Sequence, residues 1–549
     1  MKRGNNQKKA KTRVEDVATP DYFSQLPDSI IHDHIYSCLS DRDVARTSIL
    51  SKNWYRIWAT YSYVVFHFIH TKKDRKKEGG DEMFFDMVES SMCKRFKHKF
   101  YVDSIEMFIK FPNMESLAPR LDRWIRIAIE RSINITEFDL RVESFMAPYK
   151  VPQVVLHAGC LKVLSLSRCK FDQSSSDIKL PQLQELSFLS CNFSGSLLFE
   201  KFLSGCPVIE YVKMSFITWK DNQLLIPNLP KLKCFECLYC SMVDFITISA
   251  ANILSFTFQT SRDCWPIYID CASCITSLKE LKFYGNTLTD YTDKFEILIS
   301  ELLSLERLEF RGCRCRDRFR ISSQSLKRLV FRNCEKLSVD EIDAPNLQYF
   351  EYNEIDQPFF PINASNELQI HFGFMSRGIN SSQWLSEFED LLLQLSCWKD
   401  FKLVVHYDDS QKRLATGQSK KCVPIKKNII IHEKLGDVNY SCLNNFNSNN
   451  FILISSKNYS DLVDEIFFLS YPDTLSVMYS DAKSMELILE KLKGVGSNPH
   501  LTHKLIGYEV DNCKANNALL DPATNVFIQK HSNARYETST VTFNWEYVN

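Results

Sequence analysis

Glycine is scarce in this sequence, 15 of 549 residues, and its scarcity removes one class of function at the outset. A loop that cradles phosphates needs closely spaced glycines. Neither GxxxxGK(S/T) nor GxGxxG behind a strand occurs, and HExxH and GxSxG are missing as well. A charge excess is also missing: Lys plus Arg and Asp plus Glu are 67 each. A whole-chain nucleic-acid binder carries a basic surplus, so no nucleic-acid partner is expected. No apolar run approaches the ~18–20 residues that cross a bilayer, so no membrane partner is expected either. The opening "MKRGNNQKKAKTR" is charged but has no apolar stretch behind it, so no secretory leader is expected. With 19 cysteines and no export signal, most thiols are expected to be reduced and buried, which places the chain in the nucleus, the cytoplasm or both.

What the sequence has in quantity is apolar mass, 44% of residues including 39 Phe. It is organised in two ways. Residues 26–58 read "LPDSIIHDHIYSCLSDRDVARTSILSKNWYRIW", which the spacing resolves into three short helices. Pro27 suits a first turn and Asp28 complements the helix dipole. Ile31, Ile35 and Leu39 recur at i, i+4, i+8, with Ile30 beside them. Ser40 and Asp43 form a capping pattern before Val44 and Ile49, and Ser51 caps a third helix with Trp54 and Trp58 one turn apart. Three helices in under ~40 residues are marginal alone. The segment is therefore either a plug docked on a partner or a helical cap on the rest of its own chain.

The remainder repeats. The pattern apolar-x-x-apolar-x-apolar starts at Ile135, Leu161, Leu183, Ile209, Leu232, Ile253, Leu278, Leu305, Leu326 and Leu347. The steps of 21 to 27 residues lie inside the ~20–29 range of leucine-rich repeats. The expected fold is an α/β repeat solenoid with short parallel strands and convex helices. In it the apolar positions face the core and the intervening positions the concave surface. A Cys or Asn at the turn satisfies backbone groups: Cys169, Cys191, Cys240, Asn286, Cys313 and Cys334. Convex helices are expected near Leu197 and Phe295. In this register "CFECLYC" (Cys234, Cys237, Cys240) is no zinc site, because its thiols point apart and act as small hydrophobes, and the same holds for Cys271 and Cys274. No metal and no cofactor is expected. The boundaries read as 1–20 a basic disordered tail (a nuclear import signal or a solvated tail), 21–66 the helical module, 67–100 a linker or irregular lead-in, 101–360 the repeats, and 361–549 a degenerate repeat-like region. In that last region 384–395, 460–469 and 485–492 read as helices and 434–450 as a loop.

The helical module resembles the plant F-box of F-box/LRR proteins. The resemblance rests on Leu26-Pro27-Asp28, Ile30/Ile31, Leu39, and above all "VARTSILSKNWYRIW" from Val44 to Trp58. It departs from the family at His32, His34 and Ser40. The resemblance implies a substrate-recognition subunit of an SCF-type ubiquitin ligase with no catalytic residues of its own. It would bind a Skp-type adaptor, through it a cullin, and an unknown target on the repeats. Leu26 and Pro27 would insert into the adaptor. Ile30, Ile31, Ile35, Leu39, Val44, Ile49, Leu50 and Trp54 would divide between module core and adaptor contact. The basic run "RGCRCRDRFR" offers Arg311, Arg314, Arg316 and Arg318 as a target or ligand patch, or else a solvated loop. The alternatives are a solenoid receptor for a hormone or inositol phosphate, and an interaction scaffold outside ubiquitin transfer.

Overall fold

The computed structural model describes residues 26–376 except 72–78, 99–101, 132–134, 145–147, 176, 219–220, 241–242, 261–267, 286, 289–291, 316–317, 333, 335–338, 355–360 and 366–367. Beyond these it describes 400–407, 428–433, 453–454, 474–479, 503–514 and 537–547. The tail 1–20, Asn286, Arg316, the loop 434–450 and the helices expected at 384–395, 460–469 and 485–492 lie outside the described residues. The chain divides into two compact units, 1–161 and 162–549.

The first unit opens with the three-helix module. Ser40 and Ser51 act as the expected N-caps, their hydroxyls accepting from the backbone N–H of Asp43 (3.3 Å) and Trp54 (3.2 Å). The Ser40 hydroxyl also donates to the Asp43 carboxylate (2.6 Å), so the two side chains are joined directly rather than through the Ser40 backbone N–H of a capping box. The first helix departs from the simple 3.6-residue stripe. Residues Ile31–Ile35 form a wider π-turn in which the Tyr36 N–H bonds to the Ile31 carbonyl. The extra residue per turn places Tyr36, not Ile35, deepest beside Ile31. Leu39, third in the expected stripe, is exposed.

From Tyr61 the chain runs directly into a strand, Tyr63–Ile69, which pairs in parallel with Ser104–Lys110, and that strand with Glu137–Glu143. Alternate residues Ile105, Met107, Ile109 and Phe138, Leu140, Val142 point into the core. Helix Met114–Arg131 covers them with Leu117, Leu121, Trp124 and Ile125. The stretch 67–100, expected as a linker or irregular lead-in, holds the end of a strand and the helix Gly80–His98. Buried His70 brings Nε2 to 3.0 Å from the Asp81 carboxylate of this helix, without hydrogen-bond geometry.

The second unit is the repeat solenoid. Strands Val163–Ser167, Glu185–Leu189, Tyr211–Ser215, Cys234–Cys240, Ser255–Thr260, Glu280–Tyr284, Arg307–Arg311, Arg328–Arg332 and Tyr349–Glu354 pair in parallel in this order. Every leading residue from Leu161 to Leu347 is buried. So is Leu368, one further step of 21 residues, and Gln369–Ser376 extends the ladder past where the sequence pattern loosens. Asp400–Tyr407 and Asn428–Glu433 follow in parallel. The direction then changes: Glu537–Tyr547 pairs antiparallel with both Thr474–Tyr479 and His503–Lys514. Among the described residues the convex helices are Ser196–Ser204 and Thr292–Glu301. Phenylalanines fill the space between strand and helix, as where Phe283, Phe310, Phe331 and Phe295 meet ring to ring.

The cysteine turns are built as expected. The thiols of Cys169, Cys191, Cys240, Cys313 and Cys334 each donate to the carbonyl two residues back, at 3.5–3.6 Å. One reading of the cysteines is corrected. Cys237 and Cys240 do not point apart: both are buried in the core, near enough for each thiol to feel the other. Tyr239 between them has φ 53°, which breaks the strand alternation and turns Cys240 back inward. Burial pushes the Cys237 thiol well above its usual range and the Cys206 thiol to about 12.

Candidate interaction surfaces

The helical module sorts its apolar residues into two sets. Ile31, Val44 and Trp54 are buried in a core with Tyr36, Ile57, Trp58 and Ala59, and Leu26 and Ile35 pack against it. Tyr36, Ile57 and Ala59 were not singled out by the helical spacing: Tyr36 depends on the π-turn, and the other two sit on either side of Trp58. The second set faces outward. Ile30 and Leu39 are exposed, Pro27 caps the first helix in the open, and Ile49 and Leu50 are 83% and 67% exposed. Large apolar side chains this bare are an unfinished surface. The expected site residues thus divide into five that form or line the core and five that face outward.

Polar contacts brace the frame. Arg56 holds Asp28 with both terminal nitrogens, 2.6 and 3.0 Å. This hydrogen bonding keeps the Asp28 carboxyl below its usual range, against a smaller opposing push from burial. His32 Nε2 lies 2.9 Å from the Ile57 carbonyl, and its ring packs on Tyr36 and Tyr61. His34 is exposed.

On the solenoid, the concave positions carry paired charges. Arg332 binds Glu351 through two nitrogens, 2.6 and 2.7 Å, and approaches Glu309 at 3.8 Å. The Tyr349 hydroxyl donates to Glu351 (2.9 Å) and lies 3.0 Å from His371 Nδ1, while Arg328 stacks 3.8 Å over the Tyr349 ring. Burial raises the Glu351 carboxyl, but Arg332 and then Tyr349 outweigh it and hold it below its usual range. Burial pushes the Tyr284 hydroxyl to about 12.

The described part of the basic run is spread over three strands of three different sheets. Arg311 ends a concave strand, hydrogen-bonded to Glu309 and over the Tyr284 ring at 5.3 Å. Arg314 sits on a short outer strand, Arg314–Cys315. Arg318, just before a separate outer strand, Phe319–Ser322, is 3.3 Å from Asp340. Arg316 is outside the described residues. No group of three His, Cys, Asp or Glu side chains arranged to hold a metal occurs among the described residues. Among the described residues no helix is long and apolar enough to cross a membrane.

A family model described as "At1g61320/AtMIF1, LRR domain" matches residues 98–265 and 268–384, more than half of the chain. The chain is 30% identical over 265 residues to the F-box/LRR-repeat protein At3g58900 of Arabidopsis thaliana, covering 44% of this chain and 73% of that protein. The chain belongs to the plant F-box/LRR-repeat family. F-box/LRR-repeat protein 25 of the same plant is 27% identical over 197 residues, 36% of this chain and 68% of its own length. The F-box/FBD/LRR-repeat protein At1g13570 is 25% identical over 213 residues, and there the chain spans 48% of the relative. In this F-box/LRR chain, the three-helix module and the repeats are the two parts to which the family name refers.

Proposed function

We propose that the protein is the substrate-recognition subunit of a Skp–cullin–F-box ubiquitin ligase. The helical module docks a Skp-type adaptor, the adaptor brings the cullin, and the solenoid holds the target. The observation that carries this reading is a closed helical core that leaves Ile49 and Leu50 bare. Such side chains gain about 1.5–3 kcal/mol each when a partner buries them fully. The chain's contribution to ubiquitin transfer is proximity: it raises the effective concentration of target lysines near the conjugating enzyme. It works in the nucleus, the cytoplasm or both.

The test is capture of a purified Skp-type adaptor by the full chain, beside an Ile49→Asp/Leu50→Asp variant and a Leu26→Ala/Pro27→Ala variant. Capture by the wild type, lost in the Ile49/Leu50 variant at unchanged helical content, is the expected result. No capture by the wild type would leave the repeats as a scaffold outside ubiquitin transfer.

A further inference from the structure

Four adjacent parallel strands of the second unit carry a residue of left-handed backbone conformation at their C-terminal end: Arg168 (φ 58°), Ser190 (53°) and Phe216 (56°) directly after the last strand residue, and Tyr239 (53°) next to last in its strand. For a residue with a Cβ this conformation costs about 1–2 kcal/mol. The fold does not require a side chain there, because the same turn position later in the solenoid is glycine, Gly285 (φ 64°) and Gly312 (φ 59°). Yet two of the strained positions hold large aromatics. Their rings lie parallel, 4.8 Å apart with 6° between planes, and are 50% and 44% exposed. Strain maintained under exposed side chains points to use rather than to packing.

We propose that this row is where the target docks, and that it takes an extended segment carrying an aromatic residue beside an acidic one. The inference rests on the target-binding reading of the solenoid. Shared conformation and register send the four side chains off one edge, spaced like the strands at ~4.8 Å. Phe216 and Arg168 are two spacings apart, roughly 9–10 Å, with small Ser190 between them. That gap accepts one more ring, stacked on Phe216 and faced by the Arg168 guanidinium on its other side. Exposed Leu189 and half-buried Leu238 on the adjoining strand ends extend the apolar floor. Among the described residues Arg168 is exposed and has no ion-pair partner. The nearby cation Lys213 is paired with Glu236 at 3.4 Å. The row itself contains no carboxylate, so Arg168 is its one charge to complement.

The experiment is fluorescence anisotropy of short labelled peptides titrated with the full chain. The probes are an Asp-Trp pair in a Gly/Ser frame, with Lys-Trp and Asp-Ala as controls. The Asp-Trp peptide is expected to bind about tenfold tighter than either control, a difference of about 1.4 kcal/mol. Phe216→Gly is expected to remove the preference while its thermal midpoint stays level or rises, since glycine relieves the backbone. Arg168→Glu is expected to reverse the preference toward Lys-Trp. Equal binding of all three peptides, retained preference in Phe216→Gly, or no reversal in Arg168→Glu would each overturn the proposal, as would a fall in the Phe216→Gly midpoint. Adaptor capture is measured on the same samples. Intact capture without peptide preference counts against this surface alone, and peptide preference without capture counts against the ligase reading alone.

Discussion

The Arg332 guanidinium grips the Glu351 carboxylate from the neighbouring concave strand, one nitrogen to each oxygen. Both side chains are largely buried, so removal of Arg332 leaves the Glu351 carboxylate with little solvent, no cation and only the Tyr349 hydroxyl. Arg332→Met is expected to cost about 2–4 kcal/mol, somewhat below a fully buried pair. A drop in the thermal midpoint of the full chain checks it.

The same pair sets an acid response. The Glu351 carboxyl lies below its usual range when folded, so its contribution is complete above the unfolded value of ~4.3. It is lost as pH falls through the folded value. In Arg332→Met the carboxyl is buried without its cation and its folded value rises, which reverses the sign. The gap between wild type and variant is therefore expected to narrow between pH 7 and pH 4, read from paired melting curves.

Ile31 and Ile49 lie 18 positions apart in one module and should behave as opposites. Ile31 is fully buried, so Ile31→Ala is expected to cost about 2–4 kcal/mol of stability. Ile49→Ala is expected to stay within about 0.5 kcal/mol and to weaken adaptor capture. Denaturant titration of each variant beside an adaptor pull-down separates the two effects.

Ser51→Ala removes the hydroxyl that accepts the Trp54 N–H and is expected to cost about 1 kcal/mol, with Ser51→Asp retaining most of it. A module that lost instead the same stability in both variants would mean that the cap is not the source.

Native-state labelling at pH 8 with a thiol-alkylating reagent should sort the cysteines. Cys38, Cys93 and Cys160 are exposed and are expected to react first. Buried Cys169, Cys206 and Cys237, with thiols pushed up by burial, should react only on unfolding. Peptide mass spectrometry over a time course reads the order.

The repeats were legible because one rule is reused: a leucine or isoleucine every 21 to 27 residues marks each turn's inner corner. Leu368 obeys that rule, but the "HFGF" strand behind it lacks the usual turn residue, and the pattern fades to the eye before it fades in the fold. The caps at Ser40 and Ser51 were legible because they act over three residues. The π-turn at Ile31–Ile35 was not, since it depends on Tyr36 finding the core and Thr47, whose hydroxyl lies 2.6 Å from its own. The pairing of Arg332 with Glu351 was hidden for a different reason: cross-strand register is set by the solenoid, not by local spacing. For the module, the sequence supplied the apolar residues and the structure supplied their division between inside and outside.

Two residues, Tyr61 and Ser62, separate helix Lys52–Thr60 from the first strand. Tyr61 is itself fastened, its ring against Tyr36 at 5.1 Å and His32 at 5.2 Å. There is no tether here to swing on. Anything that clasps the first three helices takes hold of the first three strands at a set bearing, as a hand on a short handle directs the blade. An insertion of flexible residues at Ser62 would take away the aim.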